Sequence, residues 1–124
     1  MIIDVITLFP AVFDGPLTES MIGRARAKKI VAIRIHNLRD YAEGRHRVTD
    51  DRPFGGGPGM LLKPEPIFRA VEAVAGKNSR VILLSPKGEK LTQKKLAQMS
   101  KRKHLVFVTG QYEGVDARVE EHLA

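Results

Sequence analysis

The chain has no cysteine among its 124 residues. That excludes disulfides, thiolate metal sites and cysteine nucleophiles together, and nothing in the chain requires an oxidising compartment. No apolar run approaches the ~20 residues that a bilayer-crossing helix needs. The first residues, Met1-Ile2-Ile3-Asp4, lack the basic region and apolar run of a signal peptide, so the expectation is a cytoplasmic protein with no membrane partner. Acidic residues are in deficit. Fourteen Asp and Glu stand against twenty-one Lys and Arg, leaving a net charge of +7 and a pI near 10, which raises the question of a polyanionic partner.

Two signatures of nucleotide chemistry are also missing. There is no Gly-x-x-x-x-Gly-Lys-Ser/Thr phosphate loop, and no Gly-x-Gly-x-x-Gly follows the first strand-like run, so nucleotide hydrolysis and hydride transfer fall away. His36, His46, His104 and His122 show no metal-ligand spacing and read as surface or ordinary core positions.

What is present alternates. Ile2 to Phe9 is a β-branched, apolar run that stops at Pro10 and reads as a strand buried on both faces. A helical pattern from Leu17 to Lys29 leads to a second strand over Ile30 to Ile35. After a long irregular stretch, Pro66 can open a helix with Ile67, Ala70, Val71 and Val74 on one face, and Gly76 sits where a left-handed cap would end it. Val81 to Leu84 reads as a third strand, Leu91 to Lys101 as a helix with Leu96 and Met99 inward, and Leu105 to Val108 as a fourth strand. Continuously apolar strands between helices indicate an α/β fold: a mostly parallel sheet with helices on both faces. A chain of this length makes one domain with a substantial core.

The irregular stretch is the most distinctive part. From Tyr41 to Leu62 there is no apolar periodicity, and Pro53 to Gly59 packs four glycines and two prolines into seven residues. Glycine lets main-chain N–H groups approach a ligand and proline stiffens the chain, so such a loop serves as a binding loop or lid, or else as a plain linker. Arg45, Arg47 and Arg52 flank it, and arginines there are placed to hold phosphate bidentately. The other basic clusters, Arg24 to Lys29 and Lys94 to Lys103, are less telling; the lysines of the second read as the solvated face of a helix.

Two further segments follow the third and fourth strands: Ser85-Pro86-Lys87-Gly88 and Gly110-Gln111-Tyr112-Glu113-Gly114. Ligands of open parallel sheets bind beyond the carboxyl ends of the strands, which puts both turns where a small molecule would sit. Tyr112 could cover an aromatic ligand and Glu113 accept hydrogen bonds; equally, both could belong to an unremarkable strand-to-helix turn.

Taken with Leu8-Phe9-Pro10, Arg39-Asp40, Arg45-His46-Arg47, the run Asp50 to Met60, Leu84 to Gly88 and Gly110 to Asp116, the chain resembles, end to end, the bacterial tRNA (guanine-N(1)-)methyltransferase family. Gln111 departs from the basic residue usual there. The resemblance implies a trefoil-knot methyltransferase domain, here incomplete, and a homodimer that binds S-adenosylmethionine in the knot and methylates N(1) of a guanosine beside the anticodon of tRNA. It implies that Leu84, Ser85, Pro86, Gly110, Tyr112, Glu113 and Gly114 line the cofactor pocket. Asp50, Arg52, Gly55, Gly57, Pro58 and Gly59 would face the tRNA, with Pro58 and Gly59 near the guanine and Arg52 near phosphate. Glu113 is also a candidate for holding a magnesium ion.

The family's general base, its paired arginine, the knot-closing segment and a C-terminal tRNA-binding domain would all lie beyond Ala124. The chain ends on a helical pattern with no stop signal, so the expectation is the N-terminal part of a cofactor-binding domain, inactive by itself. The alternatives are an RNA-binding α/β module without catalysis and a parallel-sheet domain for some other nucleotide-like molecule.

Overall fold

The structure is a computed structural model that describes residues 1–42, 50–51, 61–62, 64–85, 88–109 and 114–115. Its centre is a four-stranded sheet built from β1 (Ile2–Thr7), β2 (Ala32–Asn37), β5 (Arg80–Leu83) and β6 (His104–Val108), in the order β2-β1-β6-β5. All three pairings are parallel. The crossovers carry α1 (Ser20–Ala27), α2 (Pro64–Val74) and α3 (Gln93–Met99). Among the described residues no helix is long and apolar enough to cross a membrane.

Only the two inner strands are deeply buried, which narrows the sequence expectation. Asp4 to Thr7 of β1 and Leu105, Val106 and Val108 of β6 are covered, while β2 and β5 sit at the edges and stay half-exposed. Register sorts the side chains. Asp4, Ile6, Val106 and Val108 share one face with Val81 and Leu83, and α2 lays Ile67, Ala70 and Val71 onto that face, with Leu38 completing the core. Ile6, Ile67 and Val106 are each 0 % exposed, so each contributes about 1.5–3 kcal/mol by burial. The opposite face presents Val5, Ile82 and Phe107, and the last two share a cleft with α3.

Several element boundaries differ from the sequence pattern, each for a local reason. The helix expected from Leu17 starts at Ser20, because the Thr18 hydroxyl donates to the carbonyls of Asp14 and Gly15 and holds the preceding residues in turns. Strand β2 starts at Ala32 and not Ile30, because Lys29 and Ile30 are used to close α1. The Ile30 N–H donates to the Ala25 carbonyl and the Lys29 N–H to that of Arg26, with Lys29 left-handed at φ 60°.

Gly76 is not the left-handed cap expected of it: its backbone is not in that region, and its N–H donates to Ser79 Oγ at 2.7 Å, so a serine side chain closes the turn. Leu96 and Met99 are not buried beneath α3 either; Leu96 is 43 % exposed, and both line an open cleft. Finally, the connection expected to be irregular from Tyr41 to Leu62 contains two short strands, β3 (Asp50–Asp51) and β4 (Leu61–Leu62). These pair antiparallel, and β4 also pairs in parallel with β7 (Gly114–Val115).

Candidate functional site

Adjacent parallel strands deliver their carboxyl ends side by side, and here β5 and β6 do so. The ladder runs one residue past β5, with the Leu84 N–H donating to the Val108 carbonyl at 3.0 Å. Beyond it the chain reverses: the Gly88 N–H donates to the Ser85 carbonyl at 3.1 Å, and a Cβ on Gly88 would stand only 3.3 Å from that same oxygen. A tight turn with a small residue at the close approach is what the Ser85-Pro86-Lys87-Gly88 composition anticipates. On the β6 side, Thr109 is fixed to β1, its N–H and its hydroxyl both reaching the Ile6 carbonyl at 3.1 Å.

Between this part of the sheet and α3 lies a cleft of about 920 Å³. Its walls are mostly apolar: Ile82, Leu84 and Phe107 from the sheet side, Leu91, Leu96 and Met99 from the α3 side. Ser85 and Gly88 border it at the carboxyl end of β5, and Arg80 and Arg102 at the other end. Glu89 and Lys95, which form an ion pair with each other, supply the polar rim. α3 is positioned by its N-cap, where the Thr92 side chain accepts from the Lys95 N–H at 3.2 Å. Leu84 is 50 % exposed, although a leucine at a strand end usually packs. A concave, apolar space of this size with a few polar groups at one end suits a nucleoside-sized ligand.

The structure thus brings Leu84 and Ser85 together on one cleft. Pro86, Gly110, Tyr112 and Glu113 lie outside the described residues, as do Arg52, Gly55, Gly57, Pro58 and Gly59. The backbone of Gly114 is described, paired with Leu61, whose neighbour Leu62 pairs with Asp50. The two ends of the glycine-proline segment are therefore tied to the segment that follows the fourth strand. Among the described residues there is no group of three or more His, Asp or Glu that could hold a metal ion, and Glu113, the magnesium candidate, lies outside them.

Sequence reasoning missed a second constellation, which the register of three strands assembles at the other end of the sheet. Asp4 is 0 % exposed. Arg34 on β2 donates to both its oxygens at 2.7 Å, His36 Nε2 meets Oδ1 at 2.7 Å, and His104 Nε2 meets Oδ2 at 2.5 Å. Burial alone would raise the Asp4 pKa; the hydrogen bonds from Arg34, His36 and His104 outweigh it and hold the pKa at about 2. An ionised carboxylate only accepts, so both Nε2 atoms carry protons. Ser79 Oγ lies 2.6 Å from His104 Nδ1 and completes the network. Two histidines read as isolated are thus partners of one acid. The only advance signal was an aspartate inside an apolar strand.

Comparison with known proteins follows the same lines. The family described as tRNA (Guanine-1)-methyltransferase TrmD matches residues 1–124. The tRNA (guanine-N(1)-)-methyltransferase of Dictyoglomus turgidum is 49% identical over 118 residues, covering 95% of this chain and 48% of that protein. The enzyme of the same name from Anoxybacillus flavithermus is 49% identical over 126 residues, covering 99% and 51%. The crystal structure of tRNA (m1G37) methyltransferase from Aquifex aeolicus superposes with a TM-score of 0.85 at 35% identity, covering 98% of this chain and 56% of that one. The chain spans about half the length of the curated relatives it matches.

Proposed function

The chain belongs to the tRNA (guanine-1)-methyltransferase family, and from that premise we propose that residues 1–124 are the N-terminal part of a cofactor-binding domain that moves a methyl group from S-adenosylmethionine to N(1) of a guanosine in tRNA. The observation that carries the proposal is the placement of Leu84 and Ser85 at the mouth of an apolar cleft beyond β5, beside the end of β6. In this reading Leu84 packs against the adenosyl group and the Ser85 turn bounds it, while Ile82, Phe107 and Leu96 keep water away. When bound, the cofactor supplies an electrophilic methyl group on sulfonium. The protein then contributes orientation, which is worth several kcal/mol where two reactants must meet in line.

Pro86, Gly110, Tyr112, Glu113 and Gly114 complete the pocket in the same reading, and the Asp50 to Gly59 segment faces the target base. The pairing of Leu61 with Gly114 supports this, because it ties the substrate loop to the cofactor turn. The proton on guanine N1 must leave as the methyl arrives, so a general base is required, and we place it outside residues 1–124. The assembled enzyme is a homodimer in this reading, and the chain alone does not turn over.

A chimera tests the proposal. Substituting this chain for the matching half of the Dictyoglomus turgidum relative should give a protein that transfers radiolabelled methyl from S-adenosylmethionine to a tRNA transcript, and Gly59→Val in that chimera should abolish transfer. A folded chimera that binds RNA but neither binds S-adenosylmethionine nor transfers methyl would overturn the enzyme reading in favour of an RNA-binding module.

A further inference from the structure

The end of the sheet opposite the cofactor cleft carries a charge pattern that methyl transfer does not use. Because all four strands run parallel, the segments entering β1, β2, β5 and β6 gather at one end. In the spatial order β2-β1-β6-β5 they present Lys28 and Lys29, the Met1 ammonium, Lys101 and Lys103, and Lys77. Every one of these cationic residues is exposed, and none of the entering segments contains an Asp or Glu. The carboxylate of Asp4, which lies behind this end on β1, is buried and already satisfied by Arg34, His36 and His104.

The fold pins these cations together. The Met1 ammonium donates to the Ile30 carbonyl at 3.2 Å, the Ala32 N–H to the Met1 carbonyl at 3.0 Å, and the Ile2 N–H to the Lys103 carbonyl at 2.8 Å. On the far side, the contact between Ser79 and His104 ties the Lys77 turn to β6. Strands stand about 4.8 Å apart, so the row is roughly 15 Å long, a distance over which a nucleic-acid strand presents several phosphates. Lys29 adds an independent sign. It occupies a left-handed cap position where glycine is the ordinary choice, and a side chain there costs about 1 kcal/mol. Among the described residues its ammonium enters no ion pair or side-chain hydrogen bond.

We propose that this end of the sheet is a second contact surface, distinct from the cofactor cleft, that binds the phosphate backbone of RNA without reading bases. The choice of RNA over other polyanions rests on the tRNA reading above; the charged surface stands without it. Lysines predominate over arginine here, which suits point-charge contact to phosphate more than bidentate recognition.

The test is fluorescence anisotropy of a labelled tRNA transcript titrated with this chain over a series of salt concentrations. The double variants Lys28→Gln with Lys77→Gln, and Lys101→Gln with Lys103→Gln, should each weaken binding and lower the magnitude of the log–log salt slope by about 2, near one per phosphate contact. A charge-matched double variant at exposed positions before and in the first turn of α3, Lys90→Gln with Lys94→Gln, should keep the wild-type slope. Poly-L-glutamate of matched charge should compete poorly. If the control pair loses as much as the other two, or if polyglutamate competes as well as RNA, the surface is not an RNA site and the proposal fails. S-adenosylmethionine titrated by calorimetry into the same variants separates the two readings. Unaltered salt slopes with cofactor binding intact fault the surface alone, and altered slopes in a chain that never binds cofactor fault the methyltransferase alone.

Discussion

Arg34 grips both oxygens of the Asp4 carboxylate from the neighbouring strand, Nε to Oδ1 and Nη2 to Oδ2, each at 2.7 Å. The pair joins β1 to β2 within their parallel ladder, where Asp4 and Arg34 are register partners, and His104 extends the link to β6. A buried carboxylate with four donors is costly to disturb, because each donor left behind must find water or remain unpaired.

Asp4→Ala should therefore destabilise the fold by about 3 kcal/mol, measured as a lower denaturant midpoint at unchanged slope. Arg34 is half-exposed and can turn to solvent, so the loss should fall mainly on the two histidines. A change below about 0.5 kcal/mol would show that the network is dispensable.

The acid dependence follows from the same carboxylate. Its folded pKa of about 2 lies below the ~3.9 of an unfolded aspartate, so its stabilisation is fully present above about pH 4 and is lost as pH falls toward 2. The contribution is on the order of 2 kcal/mol. Unfolding free energies of the wild type and Asp4→Asn, measured at several pH values, should differ most at neutral pH and converge in that acid window.

Lys29→Gly should raise stability by about 1 kcal/mol, because glycine takes the left-handed cap conformation without a Cβ clash. The same variant should bind RNA more weakly. Thermal melts and anisotropy on one preparation would show the two effects moving in opposite directions.

Gly23→Ala should lower the melting temperature even though alanine favours helix interiors by up to ~1 kcal/mol over glycine. A Cβ at position 23 would stand 2.4 Å from the Thr18 carbonyl oxygen and 2.9 Å from its carbon. Those are backbone atoms held by the Thr18 turn, so α1 would have to shift.

The order of strands and helices was legible because apolar runs in a parallel sheet are continuous and each stops at a recognisable break. The position of Leu84 and Ser85 just beyond the carboxyl end of a parallel strand was legible for the same reason. The Asp4 network was not, since it depends on register, which places residues 30 and 100 positions apart on one carboxylate. Leu96 and Met99 misled because helical periodicity reports an apolar face and not whether that face meets a wall or a cleft. The end of α1 misled because a lysine holds the cap that glycine usually marks. The glycine-proline segment stood out by composition, yet the strands at its two ends, two residues each, are too short to leave a period.

The most direct test of the central claim is to map where S-adenosylmethionine touches this chain, by amide chemical shifts in a titration that detects weak binding. The account predicts perturbations concentrated at Leu84, Ser85, Gly88 and Thr109, with Leu84→Glu removing them while the fold persists. Perturbations centred instead on Met1, Ser79 and His104, or none at saturating cofactor, would contradict it.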